Sequence, residues 1–338
     1  MKKKIKVLVV DDSLVFREVL AKGISSDPEI EVVGKAFDPF DARDKIIQLE
    51  PDVMTCDINM PKMDGIEFIK RLLPQHPIPV IMVSGMDDAV FDAMESGAVE
   101  FVVKPDMNSP RGVQEFIFDL IDKIKIASKS KIIPHEETNH KDINSYGTTD
   151  QSKIIAIGAS TGGTEAISKI LLNLPQNMPG IIIVQHIPPG FSKMFANRLN
   201  NQSHFHVKEA ENGDYVEPGK VIIAPGDKHI RVKNIGGKYK VEVFSGEKVS
   251  GHCPSVDVMF DSIAKECKEK ALGVILTGMG YDGARGLLAM KRNGAKTIGQ
   301  DETSSVVYGM PKVAYDVGAV QAQASLEEIP KIMYSMSR

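Results

Sequence analysis

Two α/β bodies in one chain, each a parallel sheet flanked by helices, are predicted by three features of the sequence. Its 338 residues exceed the usual size of a single domain, for which about 150 is a common figure. In both halves, short apolar runs alternate with stretches of helical period. A polar segment with no apolar period separates the halves.

The first body takes in residues 1–126, with strand candidates Ile5–Val10, Glu31–Lys35, Val53–Cys56, Pro79–Val83 and Val99–Val103, each leading into a helical stretch. Five βα units of this kind imply a parallel sheet covered on both faces, and a run such as Val7-Leu8-Val9-Val10 suits burial on both sides. Residues 127–151, rich in Lys, Ser, Asn, Thr and His, read as a solvated linker. The second body, 152–338, offers strands at Ile154–Ile157, Ile181–Val184, Val221–Ala224, Gly273–Leu276 and Ala295–Ile298. Between them, His229–Lys233 and Lys238–Phe244 meet across Gly236-Gly237 as a β-hairpin. The second body is therefore a doubly wound α/β domain with an antiparallel insertion, and no repeat of fixed period occurs.

Composition narrows the function classes. Hydrophobic content of 42%, charged content of 25% and a net charge of −4 describe an ordinary globular chain, with no basic excess for nucleic acid or an anionic membrane. The basic start is followed by an apolar run too short for a signal peptide, and no run has transmembrane length, so membrane insertion is not expected. Cys56, Cys253 and Cys267 have no CxxC spacing, which argues against a disulfide framework or a thiolate zinc site and fits a reducing cytoplasm.

In a doubly wound, flavodoxin-like sheet of order 2-1-3-4-5, strands 1 and 3 are neighbours and ligands collect at their carboxyl ends. Asp11, Asp12 and Asp57 stand at those ends, and three converging carboxylates call for a hard cation such as Mg²⁺. Ser84 and Lys104 stand beyond the next two strands as a hydroxyl donor and an ammonium. Alone, Asp11-Asp12-Ser13 would read as a helix N-cap and Lys104-Pro105 as an ordinary strand exit. Together, Val10-Asp11-Asp12-Ser13, Asp57-Ile58-Asn59-Met60-Pro61-Lys62-Met63-Asp64-Gly65, Ser84-Gly85 and Lys104-Pro105 resemble response-regulator receiver domains over residues 4–124. The resemblance implies that Asp57 accepts a phosphoryl group from a chemotaxis histidine kinase. It also implies Mg²⁺ held by Asp12, Asp57 and the backbone carbonyl of Asn59, with Asp11 assisting. Ser84 and Lys104 would grip the phosphoryl group, and Phe101 falls where such domains keep an aromatic that moves on activation. A plain core phenylalanine is the other reading of Phe101.

In the second body, Ile154–Gly163 is a strand entering a glycine-rich turn that satisfies G-x-S-x-G, with Ser160 at its centre. A phosphate-cradling loop looks similar, but the third glycine of G-x-G-x-x-G is missing, and the second strand ends in Gln185-His186 instead of a ribose-binding acid. A serine hydroxyl needs an imidazole to take its proton, and adjacent strand ends would bring His186 to Ser160; His252 is the alternative base. Asp282, after a buried strand and among glycines, can orient the imidazole, although a helix cap is its simpler reading.

The runs Ile157-Gly158-Ala159-Ser160-Thr161-Gly162-Gly163, Val184-Gln185-His186, Ala224-Pro225-Gly226, His252-Cys253-Pro254-Ser255-Val256-Asp257 and Leu276–Gly283 closely resemble the catalytic domain of chemotaxis methylesterases over 152–338. The resemblance implies a Ser160, His186, Asp282 triad with an oxyanion hole from the N–H groups of Thr161 and Met279. It implies hydrolysis of glutamate γ-methyl esters on the cytoplasmic helices of chemoreceptors, deamidation of receptor glutamines by the same chemistry, and no cofactor for the esterase step. Two rival classes are a DNA-binding output and a thiol enzyme built on Cys253. No helix-turn-helix pattern or basic patch follows the linker, and His252 and Cys253, being adjacent on an extended chain, point to opposite faces.

Overall fold

Strands buried on both faces dominate both halves of the computed structural model, which describes residues 3–85, 89–131 and 147–338. The chain divides into two units, Met1–Glu137 and Thr138–Arg338. In the first, β1 (Ile5–Val10), β2 (Ile30–Ala36), β3 (Val53–Asp57), β4 (Val80–Ser84) and β5 (Glu100–Val103) alternate with α1 (Leu14–Ile24), α2 (Pro39–Leu49), α3 (Gly65–Leu72), α4 (Ala89–Glu95) and α5 (Pro110–Ala127). The sheet is parallel with order β2-β1-β3-β4-β5. Every residue of β3 and β4 is buried, which is why these strands are apolar without alternation. Short polar side chains start the helices: Ser13 accepts from the Phe16 N–H, Asp38 from those of Phe40 and Asp41, and Asp64 from that of Glu67.

The second unit contains β6 (Ile154–Ala159), α6 (Gly163–Leu172), β7 (Gly180–Gln185), α7 (Phe191–Gln202), β8 (His206–Glu209), β9 (Lys220–Ile223), β10 (His229–Ile235), β11 (Lys238–Phe244), α8 (Val256–Glu266), β12 (Ala271–Ile275), α9 (Ala284–Arg292), β13 (Lys296–Gln300), α10 (Met310–Asp316), β14 (Ala322–Ala324) and α11 (Ile329–Met336). Seven strands form a parallel sheet in the order β14-β13-β12-β6-β7-β9-β8, and β10 and β11 pair separately as the antiparallel hairpin. One apolar cluster joins strand residues such as Ile154, Ile182 and Ile275 to α8 through Val256, Met259, Phe260 and Ile263, and to the hairpin through Ile230 and Val241.

The two outer strands β8 and β14 are absent from the sequence expectation. β8 reads His-Val-Lys-Glu with only Val207 buried, and β14 has three residues of which one is buried. Edge strands face solvent on one side and need no apolar run, so the hydrophobic signal fails there. Most of the expected linker, 127–151, lies outside the described residues. Its last part is bonded to the second unit, where the Asp150 N–H donates to the Ser337 carbonyl at 2.7 Å. Among the described residues no helix is long and apolar enough to cross a membrane.

Candidate active site

Each sheet reverses its direction of growth beside its first strand, and chemistry-bearing residues gather at both reversals. In the first unit, β1 lies between β2 and β3, and the register Val10 to Cys56 brings Asp11 opposite Asp57. One oxygen from each of Asp11, Asp12 and Asp57 falls within 4.8 Å of the others, with Asp11 and Asp57 buried and Asp12 exposed. Oxygen donors at this spacing fit a hard divalent cation. The Lys104 ammonium lies 2.6 Å from Asp57 Oδ2 and 3.0 Å from Asp11 Oδ2, and it rests over the Phe16 ring at 4.9 Å. Burial raises the Asp57 pKa above the ordinary 3.8, with Asp11 adding to it, against the opposing pull of Lys104 and of the Asn59 N–H at 3.3 Å. Burial works against the Lys104 charge, but two carboxylates outweigh it and hold its pKa above 10.5. Ser84 Oγ, at the end of β4, is buried without a hydrogen-bond partner among the described residues. Phe101 is 3% exposed, with its ring edge-on to Phe91 at 6.4 Å.

In the second unit, β6 lies between β12 and β7. Ala159 pairs with Gln185, the His186 N–H donates to the Ala159 carbonyl at 3.1 Å, and the Ser160 N–H donates to the Thr277 carbonyl at 3.0 Å. Ser160 therefore stands between the strand end that carries His186 and the one that leads to Asp282. After it the chain turns at once into α6, and the Gly163 N–H closes the turn on the Ser160 carbonyl at 2.7 Å. A Cβ on Gly163 would lie 2.1 Å from Gln185 Oε1, so only glycine leaves room for the Gln185 amide beneath the turn. That amide, missed in the sequence, donates from Nε2 to the carbonyls of both Ser160 (2.9 Å) and His186 (3.0 Å).

His186 Nε2 lies 2.9 Å from Asp282 Oδ2. Its Nδ1 is buried with no hydrogen-bond partner among the described residues. The layout accounts for the Asp282 contact: His186 directly follows β7, and its Nε2 reaches the loop after β12, on the other side of β6. Asp282 is 1% exposed and accepts three further hydrogen bonds, from Ser255 Oγ (2.8 Å), the Val256 N–H (2.7 Å) and the Asp257 N–H (3.0 Å). These donors form the N-terminus of α8, where free N–H groups and the helix dipole favour an anion. Burial pushes the Asp282 pKa up, but His186 and the α8 donors outweigh it and hold the carboxyl below its ordinary 3.8. Asp257, in turn, accepts from the Gly286 N–H (2.8 Å) in the first turn of α9. Each of the two helices thus starts on an aspartate carried by the other's first turn or approach, which fixes the Asp282 carboxylate.

Thr161 is 4% exposed and Met279 37% exposed; they follow Ser160 and Gly278 respectively. Their loops rest on a buried polar layer. Thr277 Oγ1 donates to the Thr161 carbonyl (3.0 Å) and accepts from the Val307 N–H (2.9 Å), while Gln300 Oε1 accepts from the Thr277 N–H (2.8 Å). His204 and His206 are exposed, and His229 is satisfied at both nitrogens by the Glu247 carbonyl and the Ser255 N–H. His252 stacks face to face on His186, with ring centroids 3.7 Å apart and planes at 11°. Burial raises the pKa of the Cys253 thiol above its ordinary value, the opposite of what a thiolate nucleophile requires.

Comparison with known proteins matches each of the two units to a known family. The family model CheB methylesterase matches residues 155–333, and that of the response regulator receiver domain matches residues 7–111. A protein-glutamate methylesterase/protein-glutamine glutaminase 2 of Syntrophomonas wolfei subsp. wolfei is 55% identical over 334 residues, covering 99% of this chain and 98% of the relative. A protein-glutamate methylesterase/protein-glutamine glutaminase of Syntrophotalea carbinolica is 48% identical, covering 100% and 99%. The crystal structure of the Thermotoga maritima CheB methylesterase catalytic domain aligns with a TM-score of 0.53 at 41% identity, covering 54% of this chain and 98% of that one.

Proposed function

The chain belongs to the CheB methylesterase family, and from that premise we propose that Ser160, His186 and Asp282 are the groups with which it hydrolyses glutamate methyl esters, under the control of phosphorylation at Asp57. The observation that carries this reading is the His186 imidazole, at the strand end next to Ser160, bonded at Nε2 to a buried, helix-held carboxylate and unpartnered at Nδ1 among the described residues. Ser160 Oγ attacks the γ-carbonyl carbon while its proton passes to His186 Nδ1. Asp282 stabilises the imidazolium that results. The tetrahedral oxyanion takes hydrogen bonds from the Thr161 and Met279 N–H groups, whose loops the Thr277 and Gln300 layer holds in place. Collapse breaks the bond to the methoxy group, which leaves as methanol with the proton from His186. Water, deprotonated by the same nitrogen, then releases the glutamate carboxylate from Ser160. A glutamine side chain follows the same path and releases ammonia, which makes deamidation a second outcome of one site.

In the receiver, Asp57 is the phosphoryl acceptor and Lys104 and Ser84 its phosphoryl ligands. Asp12, Asp57 and the Asn59 carbonyl, with Asp11 beside them, would hold Mg²⁺, which supplies charge neutralisation for the carboxylates and the incoming phosphoryl oxygens. A chemotaxis histidine kinase is the phosphodonor, methylated cytoplasmic helices of chemoreceptors are the substrate, and the enzyme acts in the cytoplasm. The test is methanol release from methylated receptor membranes, with labelling by a serine-directed reagent. Loss of both in Ser160→Ala supports the reading; full turnover in that variant, or inactivation by a thiol reagent at Cys253, overturns it.

A further inference from the structure

The hydrogen bond to Asp282 holds the His186 ring at Nε2 but does not by itself fix the ring plane, which can still tilt about Cβ–Cγ and re-aim Nδ1. A second contact, against the face of the ring, is needed to stop that motion, and His252 is the side chain that makes it. We infer that His252 is a positioning residue for the catalytic base, acting through the face of a neutral ring and not as a proton carrier. The inference rests on the reading of His186 as that base.

The chain holds His252 firmly. Val249 and His252 exchange both backbone hydrogen bonds, each 3.0 Å, across a two-residue turn in which Ser250 (φ 54°) and Gly251 (φ 87°) both adopt positive φ. That is the type I′ geometry, for which Ser-Gly is a workable pair because its second residue carries no Cβ. Ser250 Oγ then donates to Asp257 Oδ2 at 3.0 Å, tying the turn to the carboxylate that caps α9. Five residues further on, Ser255, Val256 and Asp257 donate to Asp282. A single segment, 249–257, therefore grips the imidazole twice: across its face through His252 and at Nε2 through the carboxylate it cradles.

The charged surroundings suit a neutral ring. His186, Asp282 and Lys248 are the titratable groups that act on His252; burial and the first and last of these disfavour its cation, Asp282 opposes them, and the net result is a pKa of about 4. Near neutrality His252 carries no charge that would oppose formation of the His186 imidazolium, and it presents a π face to that cation instead.

The experiment uses the full-length, phosphodonor-activated protein and compares His252→Ala with His252→Phe in methanol release, following kcat, KM and the acid limb of the kcat/KM profile. A stacked aromatic pair of this kind corresponds to roughly a 2- to 12-fold effect. His252→Ala is expected to lower kcat within that range with KM held, and His252→Phe, which restores a neutral face, to recover most of it with the acid limb unmoved. Wild-type kcat in His252→Ala, or a changed KM with kcat intact, would overturn the proposal. So would His252→Phe being as impaired as His252→Ala, since a ring nitrogen would then be what matters. A parallel His186→Gln variant separates the two readings: turnover persisting there refutes His186 as the base, whatever His252 does.

Discussion

Each unit holds a buried aspartate at or beyond the end of a strand beside its first one, Asp57 at 2% exposure and Asp282 at 1%, and the two carboxylates are held in opposite ways. Among the described residues, Asp57 shares its one cation, Lys104, with a second buried acid and has one long backbone contact, so burial prevails and its pKa rises. Asp282 receives four donors, three of them from a single helix start, and its pKa falls despite equal burial. What separates them is the number of fixed donors, since desolvation acts on both. A carboxylate short of partners is ready to be covalently modified and to rearrange when modified. A carboxylate saturated with donors is a permanent anion, suited to orienting an imidazole through every turnover.

The largest effect expected from this contrast is on catalysis itself. Ser160→Ala is expected to lower methanol release by about 10⁶-fold, the scale of nucleophile loss in serine hydrolases. The same variant should still take label at Asp57 from a phosphodonor, because the two aspartates serve separate chemistry. Next comes Asp282→Asn, expected to lower kcat by about 10⁴-fold through loss of the anion that sets the imidazole tautomer. Wild-type kinetics in that variant would reduce Asp282 to a cap for α8 and remove one side of the comparison. Asp57→Asn has the smaller consequence of leaving basal turnover in place while removing a phosphodonor response of roughly 5- to 150-fold, the usual range for coupling between sites.

The residues at strand ends were legible in the sequence because parallel strands bury their middles and expose their carboxyl ends, so an acid, serine or histidine directly after an apolar run has one place to go. Asp11, Asp57, Ser160 and His186 were readable on that ground. The three-donor cradle of Asp282 at the start of α8 was not, because it comes from Ser255, Val256 and Asp257, some 25 residues earlier, and depends on how α8 packs beside α9. Nor was the choice of imidazole nitrogen, which only the Nε2 contact with Asp282 reveals, or the role of Gln185, which without the Gly163 contact reads as an ordinary strand end. The sequence offers His252 as an alternative base, and only the stacking geometry gives it a different place.

The smallest expected effect sharpens the contrast through pH. Asp282 has a folded pKa below 3.8, so its contribution to stability is complete above that value and is lost as pH falls through the folded one. Asp57 has a folded pKa above 3.8, so its contribution runs the other way, present below 3.8 and lost as pH rises through the folded value. Thermal unfolding followed from about pH 6 to about pH 3 should therefore show that Asp282→Asn flattens the acid-side loss of stability and that Asp57→Asn steepens it. Slopes moving in the same direction in both variants would contradict opposite shifts.

Steady-state methanol release from methylated receptor membranes, with and without a small-molecule phosphodonor, tests the contrast most directly when wild type, Asp57→Asn and Asp282→Asn are run side by side. The expected result is a phosphodonor-stimulated wild type, an Asp57→Asn enzyme fixed at the basal rate, and an Asp282→Asn enzyme that is slow in both conditions yet stimulated by the same factor as wild type. Stimulation that survives in Asp57→Asn, or an Asp282→Asn enzyme with wild-type turnover, would contradict the assignment of one aspartate to the switch and the other to the base.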